Sequence, residues 1–155
     1  MLTEQADFDR DADLTMSLVE DGIFQWCNFT GLNIEGPTFD GTLIGCVFTR
    51  VEWYFSLFNC TNFLSTRFVN CTFLGCSFAT CRLIECKFED CRFDLDNLGG
   101  PCSFEECLLV ETSFDRCHLI LQNPHNHPVF VGNRSYRCAQ KECVGFDGLF
   151  HGSEE

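Results

Sequence analysis

Thiols are the most numerous side chains in this sequence that could do chemistry, because its 155 residues include 13 cysteines and only four histidines. Cysteines can act as nucleophiles, bind metal ions or form disulfides. Between Cys71 and Cys91 a cysteine recurs at every fifth position, and each one precedes a phenylalanine or leucine by two residues. Such regular spacing indicates the period of a structure, not the geometry of one reactive site.

No known catalytic pattern accompanies these thiols. The chain lacks GxSxG, HExxH, P-loop and dinucleotide-binding motifs. Cys60 lies outside the regular series and has no histidine near it in sequence. The C-terminal tail contains residue types that bind zinc, but their spacing matches no strong zinc motif. These residues are His125, His127, Cys138, Cys143 and His151. We therefore predict a non-catalytic protein with no metal and no cofactor; a cysteine-rich redox or zinc protein is the alternative.

The five-residue period itself predicts the architecture. Helices repeat every 3.6 residues and strands every 2, so a strict period of five fits neither alone. One large and one small residue in every five suits a narrow tube, in which the large side chain fills the lumen and the small one allows a corner. The large apolar centres are Leu14, Val19, Phe24, Phe29, Ile34, Phe39, Leu43, Phe48, Trp53, Phe58, Phe63, Phe68, Phe73, Phe78, Leu83, Phe88, Phe93, Leu98, Phe104, Leu109, Phe114 and Leu119.

This pattern resembles the pentapeptide-repeat proteins, which share the motif A(D/N)Lxx or its CxF variant. Residues 6–8 (ADF), residues 12–14 (ADL) and a series of CxF and CxL units carry the resemblance over residues 12–121. It implies an all-β fold, a right-handed quadrilateral β-helix of about 5 to 6 coils with four pentapeptides in each coil. Each centre and the residue two positions before it would point inward.

The resemblance also implies a division of the chain. Residues 1–11 are expected to form an N-terminal segment, 12–121 the solenoid and 122–155 an irregular C-terminal cap. Along one side of the tube, Phe24, Leu43, Phe63, Leu83 and Phe104 are expected to stack on one another. The repeat lacks one residue before Leu43 and has one extra residue near Gly99, and both irregularities are expected to lie at corners. Aromatic residues of the tail are expected to plug the lumen, namely Phe130, Tyr136, Phe146 and Phe150.

The same count places pairs of cysteines on successive coils, at Cα separations that a disulfide could bridge. These pairs are Cys71 with Cys91, Cys81 with Cys102 and Cys86 with Cys107. Parallel inward side chains and a reducing environment favour free thiols. Asp96 would lie inward between Cys76 and Cys117 unless the glycines at 99 and 100 turn it outward, and the sequence leaves both positions open.

Net charge restricts the partners. The formal charge is −13, so neither nucleic acid nor an anionic membrane is expected to bind. No apolar run reaches the roughly 18 residues of a membrane span, and the acidic N-terminus does not resemble a signal peptide. We expect a cytoplasmic protein whose partner is another protein.

Carboxylates are concentrated between residues 83 and 115, and seven of them are predicted to form an acidic interaction face: Glu85, Glu89, Asp90, Asp94, Glu105, Glu106 and Glu111. The chain distantly resembles the quinolone-resistance type of pentapeptide-repeat protein, which protects DNA gyrase by resembling duplex DNA. B-DNA carries one charge per 1.7 Å, so a tube about 26 Å long would match about 15 charges. The resemblance thus implies a modulator of gyrase or another topoisomerase, a partner with a basic DNA-binding surface.

A second candidate surface is apolar. One side of the tube should carry Trp26, Ile44, Leu64 and Ile84 at outward positions, and the opposite side Tyr54 and Leu74. Extended apolar surface on a soluble protein usually marks an interaction site. It predicts a partner or a homodimer, unless a terminal segment covers it. The alternative function is therefore a structural adaptor or effector component, for example in a bacterial secretion assembly.

Overall fold

The computed structural model describes residues 2–9, 22–36 and 38–150. Within these residues, short parallel strands form four sheets that enclose a four-sided tube. The chain turns a corner after each strand and returns to the first sheet one coil later. The right-handed quadrilateral β-helix predicted from the sequence is confirmed. None of the helices in the described part of the chain is long and apolar enough to cross a membrane.

The four sheets are named A to D in the order in which the chain visits them. Sheet A contains β1 (Leu2–Glu4), β3 (Ile23–Gln25), β7 (Thr42–Ile44), β11 (Asn62–Leu64), β15 (Arg82–Ile84), β19 (Leu108–Val110) and β23 (Arg134–Tyr136). Sheet B contains β2 (Asp7–Phe8), β4 (Asn28–Thr30), β8 (Val47–Thr49), β12 (Arg67–Val69), β16 (Lys87–Glu89), β20 (Ser113–Asp115) and β24 (Ala139–Lys141).

Sheets C and D complete the tube. Sheet C contains β5 (Asn33–Glu35), β9 (Glu52–Tyr54), β13 (Thr72–Leu74), β17 (Arg92–Asp94) and β21 (His118–Leu119). Sheet D contains β6 (Thr38–Phe39), β10 (Leu57–Asn59), β14 (Ser77–Ala79), β18 (Ser103–Glu105) and β22 (Phe130–Val131). A short helix, α1 (Asp147–Phe150), follows the last strand.

The core is a set of stacked aromatic columns. Because the strands pair in parallel register, the central residue of each strand lies above its counterpart in the preceding coil. On sheet B the rings of Phe48, Phe68, Phe88 and Phe114 are stacked with centroids 4.6 to 4.9 Å apart. This distance is the spacing between neighbouring strands. The stacking therefore follows from the backbone pairing and fills the lumen along its length.

The small residues two positions before the centres hold neighbouring coils together. The Cys86 thiol donates a hydrogen bond to the carbonyl oxygen of Phe63 at 3.2 Å, and the Thr112 hydroxyl donates to that of Leu83 at 2.9 Å. All 13 cysteines are free, and ten of them are buried. Burial raises the pKa of Cys46 to about 11 and that of Cys86 to about 12. At neutral pH these thiols are protonated donors.

The burial of the cysteines predicts their reactivity. In the native protein at neutral pH, a thiol reagent should modify Cys60 rapidly, because Cys60 is the exposed cysteine. Cys138 and Cys143 are half-buried and should react more slowly, and the other ten should react only after unfolding. Thiol titration with and without guanidinium, with mass spectrometry to locate the label, measures this order. Rapid native labelling of the ten would contradict the inward orientation.

The corner between sheets C and D carries a longer insertion than the sequence predicted. The step from Phe93 to Phe104 contains six extra residues, not one, and Leu98 is 72% exposed at the tip of the loop, so its prediction as an inward centre is wrong. β18 consequently pairs with β14, so that Phe104 stacks on Phe78 with ring centroids 4.7 Å apart. Leu83 pairs with Leu109 instead.

This shift also changes two of the cysteine pairs. Cys81 neighbours Cys107, and the backbone N–H of Cys76 donates to the sulfur of Cys102 at 3.4 Å. The predicted pairs Cys81 with Cys102 and Cys86 with Cys107 are therefore wrong. Cys71 does neighbour Cys91, as expected, and both thiols are free.

Asp96 belongs to the inserted loop and not to the lumen. One carboxylate oxygen accepts hydrogen bonds from the backbone N–H groups of Leu98 and Gly100, at 2.8 and 2.9 Å. Its other oxygen approaches Gly75, where a Cβ would lie 2.3 Å from it. The sequence left open whether Asp96 points into the lumen or away from it, and the structure places its side chain outside the lumen. There the carboxylate is buried between the loop and the corner that follows β13 of sheet C.

The predicted C-terminal cap differs from the observed one. Beyond a second loop at residues 120–128, strands β22, β23 and β24 extend three of the sheets, although an irregular tail was expected from residue 122. Phe146 and Leu149 close the lumen, and the Phe146 ring lies 4.6 Å from that of Phe114. Tyr136 does not plug the lumen, because it follows the buried Ser135 and is paired with Val110 on the outer surface of sheet A.

The N-terminal segment also differs from prediction, since β1 and β2 extend sheets A and B below β3 and β4. The predicted centres Leu14 and Val19, and the tail residue His151, lie outside the described residues.

Candidate protein-binding surfaces

Sheet A presents a column of apolar side chains to the outside. The third residue of β7, β11, β15, β19 and β23 is apolar in each case, and strand pairing places these residues on successive rungs. All are half-buried, since each is partly covered by the rungs beside it. This column, here called the apolar ladder, consists of Ile44, Leu64, Ile84, Val110 and Tyr136. The sequence placed the first three together but missed the last two, which follow the inserted loop.

Trp26 lies beside the ladder and not in it. β3 places Gln25 on the rung below Ile44, so Trp26 occupies the next corner position, with a φ of 55°. Its indole ring lies over Gly45, where a Cβ would be 2.5 Å from the ring. The side chain is 52% exposed. Its prediction as a ladder residue is corrected accordingly, although it remains at the edge of the same surface.

Sheet C carries the second predicted apolar group, on the opposite side of the tube. Tyr54 and Leu74 pair on successive rungs, with Glu35 below them and Asp94 above. The Tyr54 hydroxyl donates a hydrogen bond to the side chain of Asn97 in the inserted loop. This group is thus two rungs long, bounded by carboxylates and tethered to a loop, so it offers less free apolar surface than sheet A.

The predicted acidic residues do not form one face. Glu85 and Glu111 lie at the corner between sheets A and B, and Glu89 lies on sheet B. Asp90 occupies the next corner, Asp94 lies on sheet C, and Glu105 and Glu106 lie on sheet D and at its following corner. The reason is the repeat itself, because residues five apart lie on different sides of the tube.

Several of these carboxylates are paired with cations. The ion pairs are Glu89 with Arg67 at 2.8 Å, Asp90 with Arg116 at 2.8 Å, Asp94 with Arg92 at 3.2 Å and Glu111 with Arg137 at 3.9 Å. Residues 10–21 and 151–155, outside the described part, contain six of the 23 carboxylates and one of the ten cations. Five of the 13 net negative charges therefore lie there.

No metal site emerges from the described residues, which contain no group of three or more potential ligands. His125 and His127 lie near each other in the second loop, with ring centroids 5.7 Å apart. Cys138 and Cys143 instead occupy coil positions, and their thiols donate to the carbonyls of Leu109 and Phe114. The described tail residues that suggested zinc, His125, His127, Cys138 and Cys143, thus form no common group of ligands.

No protein-family model matches the chain, and a search of curated proteins finds no relative. Its structure is similar to that of trypsin-treated QnrB1, a plasmid-mediated fluoroquinolone resistance protein, with a TM-score of 0.54 and 13% identity over 92% of this chain and 69% of that one. HetL, a pentapeptide repeat protein from the cyanobacterium Nostoc, matches with a TM-score of 0.34 and 8% identity over 93% and 82% of the two chains. The chain has the pentapeptide-repeat fold.

Within this pentapeptide-repeat solenoid, Asp90 and Arg116 form a bidentate ion pair on the surface, with contacts of 2.8 and 3.1 Å. The hydrogen bond from Arg116 and its positive charge lower the pKa of the Asp90 carboxyl below its ordinary value. A lowered carboxyl pKa stabilises the fold at neutral pH, and that contribution is lost as the pH falls through the lowered value. Since both groups are exposed, the effect on stability is small.

Substitution of Arg116 with glutamine should therefore raise the pKa of Asp90 toward the ordinary aspartate value of about 3.9. An NMR titration of the side-chain carboxyl carbons measures this change. Arg50→Gln is the control, because Arg50 lies in the same corner column two coils below Asp90. If both substitutions shift Asp90 equally, general surface charge and not the pair sets its pKa.

Proposed function

We propose that this solenoid is a non-catalytic binding module that engages another protein through sheet A. The apolar ladder is the observation that supports this proposal. Outward positions contribute nothing to the lumen, so the coil itself does not require an apolar residue there. Five successive apolar rungs nevertheless occupy this column, whereas the corresponding column of sheet B reads Thr49, Val69, Glu89 and Asp115. Contiguous apolar surface of this kind is typical of an interface.

The border of sheet A indicates the chemistry of the partner. Arg82 and Arg134 lie in the first strand column on one side of the ladder, and Glu85 and Glu111 lie at the corner on the other side. A partner should therefore have an apolar centre and charges of both signs around it. A structural adaptor or effector component, such as a part of a secretion assembly, would use the surface in this way.

The thiols favour a binding role over a redox or catalytic one. Cys60, the exposed cysteine, has its sulfur 3.9 Å from a side-chain oxygen of Asn59 and makes no hydrogen bond to a histidine in the described residues. The ten buried thiols are desolvated and poor nucleophiles. A reducing compartment such as the cytoplasm is part of the proposal, because all 13 cysteines are free.

The test is a pull-down from a lysate of the source cells with three versions of the immobilised protein. Leu64→Asp places a charge in the middle of the ladder. Val69→Asp is the matched control, since Val69 is also half-buried, occupies the same outward position and lies in the same coil on sheet B. Capture should fall at least tenfold with Leu64→Asp and persist with Val69→Asp. Equal losses, or no loss with either, would contradict the proposal.

A second candidate function, the modulation of DNA gyrase by mimicry of DNA, is favoured by the sign of the charge on sheet D. The strands of this sheet contain no lysine or arginine, while Asp40, Glu105 and Glu106 lie on them or at their corners. The fold shared with QnrB1, a fluoroquinolone resistance protein, and the net charge of −13 support the same candidate.

Assays of gyrase supercoiling, with and without a fluoroquinolone, test this second candidate. The protein should change supercoiling or protect it from the drug, and a double substitution, Glu105→Lys with Glu106→Lys, should abolish the effect. A double substitution on sheet C, Glu35→Lys with Glu52→Lys, changes the net charge equally and should leave most of the effect. Loss with both pairs would indicate net charge alone, and no effect of the native protein would exclude the candidate.

A further inference from the structure

The spacing of the apolar ladder is matched best by another solenoid. Its rungs are about 4.8 Å apart. A helix laid along the ladder advances 5.4 Å per turn and would be out of step by more than 2 Å after five rungs. A second copy of sheet A has the same spacing along its whole length. We infer that the occupant of sheet A is a second copy of this chain, an inference that rests on the proposed function of that sheet.

The position of the ladder on the sheet selects the orientation of the two copies. A two-fold axis parallel to the solenoid axis, through the middle of the sheet, would set Ile84 and Tyr136 over Arg82 and Arg134, which precede them by two residues in the same strands. A two-fold axis along the strands instead sets each column over itself, so that ladder meets ladder across the full width of the sheet. The two solenoids are then antiparallel.

Charge and apolar contact together select the register of this pair. An axis through β15 would place Arg82 over Arg82 and Glu85 over Glu85 of the two copies, which costs energy because like charges repel. An axis midway between β11 and β15 places Leu64 over Ile84, Ile44 over Val110 and Arg82 over Asn62. In this register no charged residue of the sheet or of the corner that follows it lies over one of the same sign. Four of the five ladder residues meet an apolar residue.

The same register gives Trp26 a partner. It places β3 over β23 of the second copy, so that Tyr136 meets Gln25 and the exposed indole of Trp26 meets the second copy's Arg137. Arg137 is an exposed cation, with 74% of its side chain accessible. A guanidinium over an indole is a favourable cation–π arrangement. By symmetry the contact occurs twice, once at each end of the interface.

The size of the sheet sets the strength of the association. Six strands of sheet A overlap in this register, and at about 4.8 Å apart and three residues long they outline a face of about 10 by 24 Å. This is smaller than the roughly 800 Å² that each partner buries in a standard stable complex. The dimer should therefore form reversibly, in the micromolar range of protein concentration.

Sedimentation equilibrium over a range of protein concentrations tests the inference directly. The native chain should show a monomer–dimer equilibrium, Leu64→Asp should weaken it at least tenfold, and Val69→Asp should leave it within twofold. Circular dichroism of each variant checks that the coil remains folded. A native chain that stays monomeric up to millimolar concentration, or a dimer that responds to Val69→Asp and not to Leu64→Asp, would overturn the inference.

The register is tested separately. Trp53 is buried in the lumen, so a blue shift of tryptophan fluorescence with increasing concentration should report Trp26, and Trp26→Phe should remove it. Arg137→Glu should weaken the dimer several-fold, while Arg50→Glu, on a corner away from sheet A, should not. A concentration-independent spectrum in a chain that dimerises would refute this register.

These experiments distinguish the inference from the proposed function on which it rests. If the native chain is monomeric but Leu64→Asp still abolishes capture of a different protein, sheet A binds that protein and the second-copy inference fails alone. If the chain dimerises through Leu64 and captures nothing else, the partner of sheet A is the second copy.

Discussion

Phe78→Ala is expected to lower the free energy of unfolding by about 3 to 5 kcal/mol, the range measured for buried phenylalanines truncated to alanine. The Phe78 side chain is fully buried, and its ring is stacked between those of Phe58 and Phe104, each with a centroid 4.7 Å away. Backbone hydrogen bonds fix the separation of the coils above and below. The neighbours cannot collapse into the space, so most of the cavity should remain.

Chemical denaturation monitored by circular dichroism measures this cost. Ser77→Ala is the matched control, because Ser77 lies in the same strand but points outward, where its hydroxyl accepts one hydrogen bond from Ser103 at 3.3 Å. That change should cost less than about 1 kcal/mol. Comparable losses for the two variants would show that the aromatic column is not the main source of stability.

The core could be predicted because the five-residue period directly reports which side chains share the lumen. Phe68, Phe73, Phe78 and Phe88 are all fully buried, as expected. The period fails only where its phase is interrupted. Leu98 follows Phe93 by five residues, so the period predicted it to be an inward centre, but it lies in a six-residue insertion. A glycine- and proline-rich stretch marks such a turn in sequence, but the length of the loop is fixed by the strand pairing that follows it.

The corners could not be predicted from residue types. Most corners place one residue in the left-handed region, and Trp26, Phe55 and Thr80 adopt φ values of 55 to 57° there. Such a conformation costs a non-glycine residue roughly 1 to 2 kcal/mol. In return the corner N–H points to the next coil, and Thr80 donates to the carbonyl of Glu105 at 2.8 Å. Since the benefit belongs to the backbone, many side chains are tolerated and no sequence signal results.

The candidate surfaces were predictable to different degrees. A column of a solenoid face consists of residues about 20 positions apart, so Ile44, Leu64 and Ile84 could be grouped by counting, but Val110 and Tyr136 could not until the insertions were placed. The acidic residues were grouped by closeness in sequence, which is the wrong measure in a fold that changes side every five residues. Their ion pairs with Arg67 and Arg116 join different coils and depend on the same pairing.

The corner before β7 provides the second large effect, because the step from the inward centre Phe39 to the next centre, Leu43, is four residues long and not the usual five. Gly41 follows Asp40 in this corner and is also the inward residue that precedes Leu43 by two. A Cβ at this position would lie 2.1 Å from the backbone oxygen of Gly22 and 3.0 Å from the ring of Phe39. That oxygen also accepts a hydrogen bond from the N–H of Thr42 at 2.9 Å. A side chain can therefore be accommodated only if the two coils move apart.

Gly41→Ala is accordingly expected to lower the free energy of unfolding by about 2 to 3 kcal/mol, the upper part of the range for overpacking a closed interior. Gly31→Ala is the control. Gly31 has a φ of 67° but nothing within 4 Å of an added Cβ, so it should cost only the left-handed strain of about 1 kcal/mol. Thermal and guanidinium denaturation of the two variants compare them. A smaller loss for Gly41→Ala than for Gly31→Ala would mean that the shortened corner can widen freely, and that the close approach of the two coils is not a requirement of the fold.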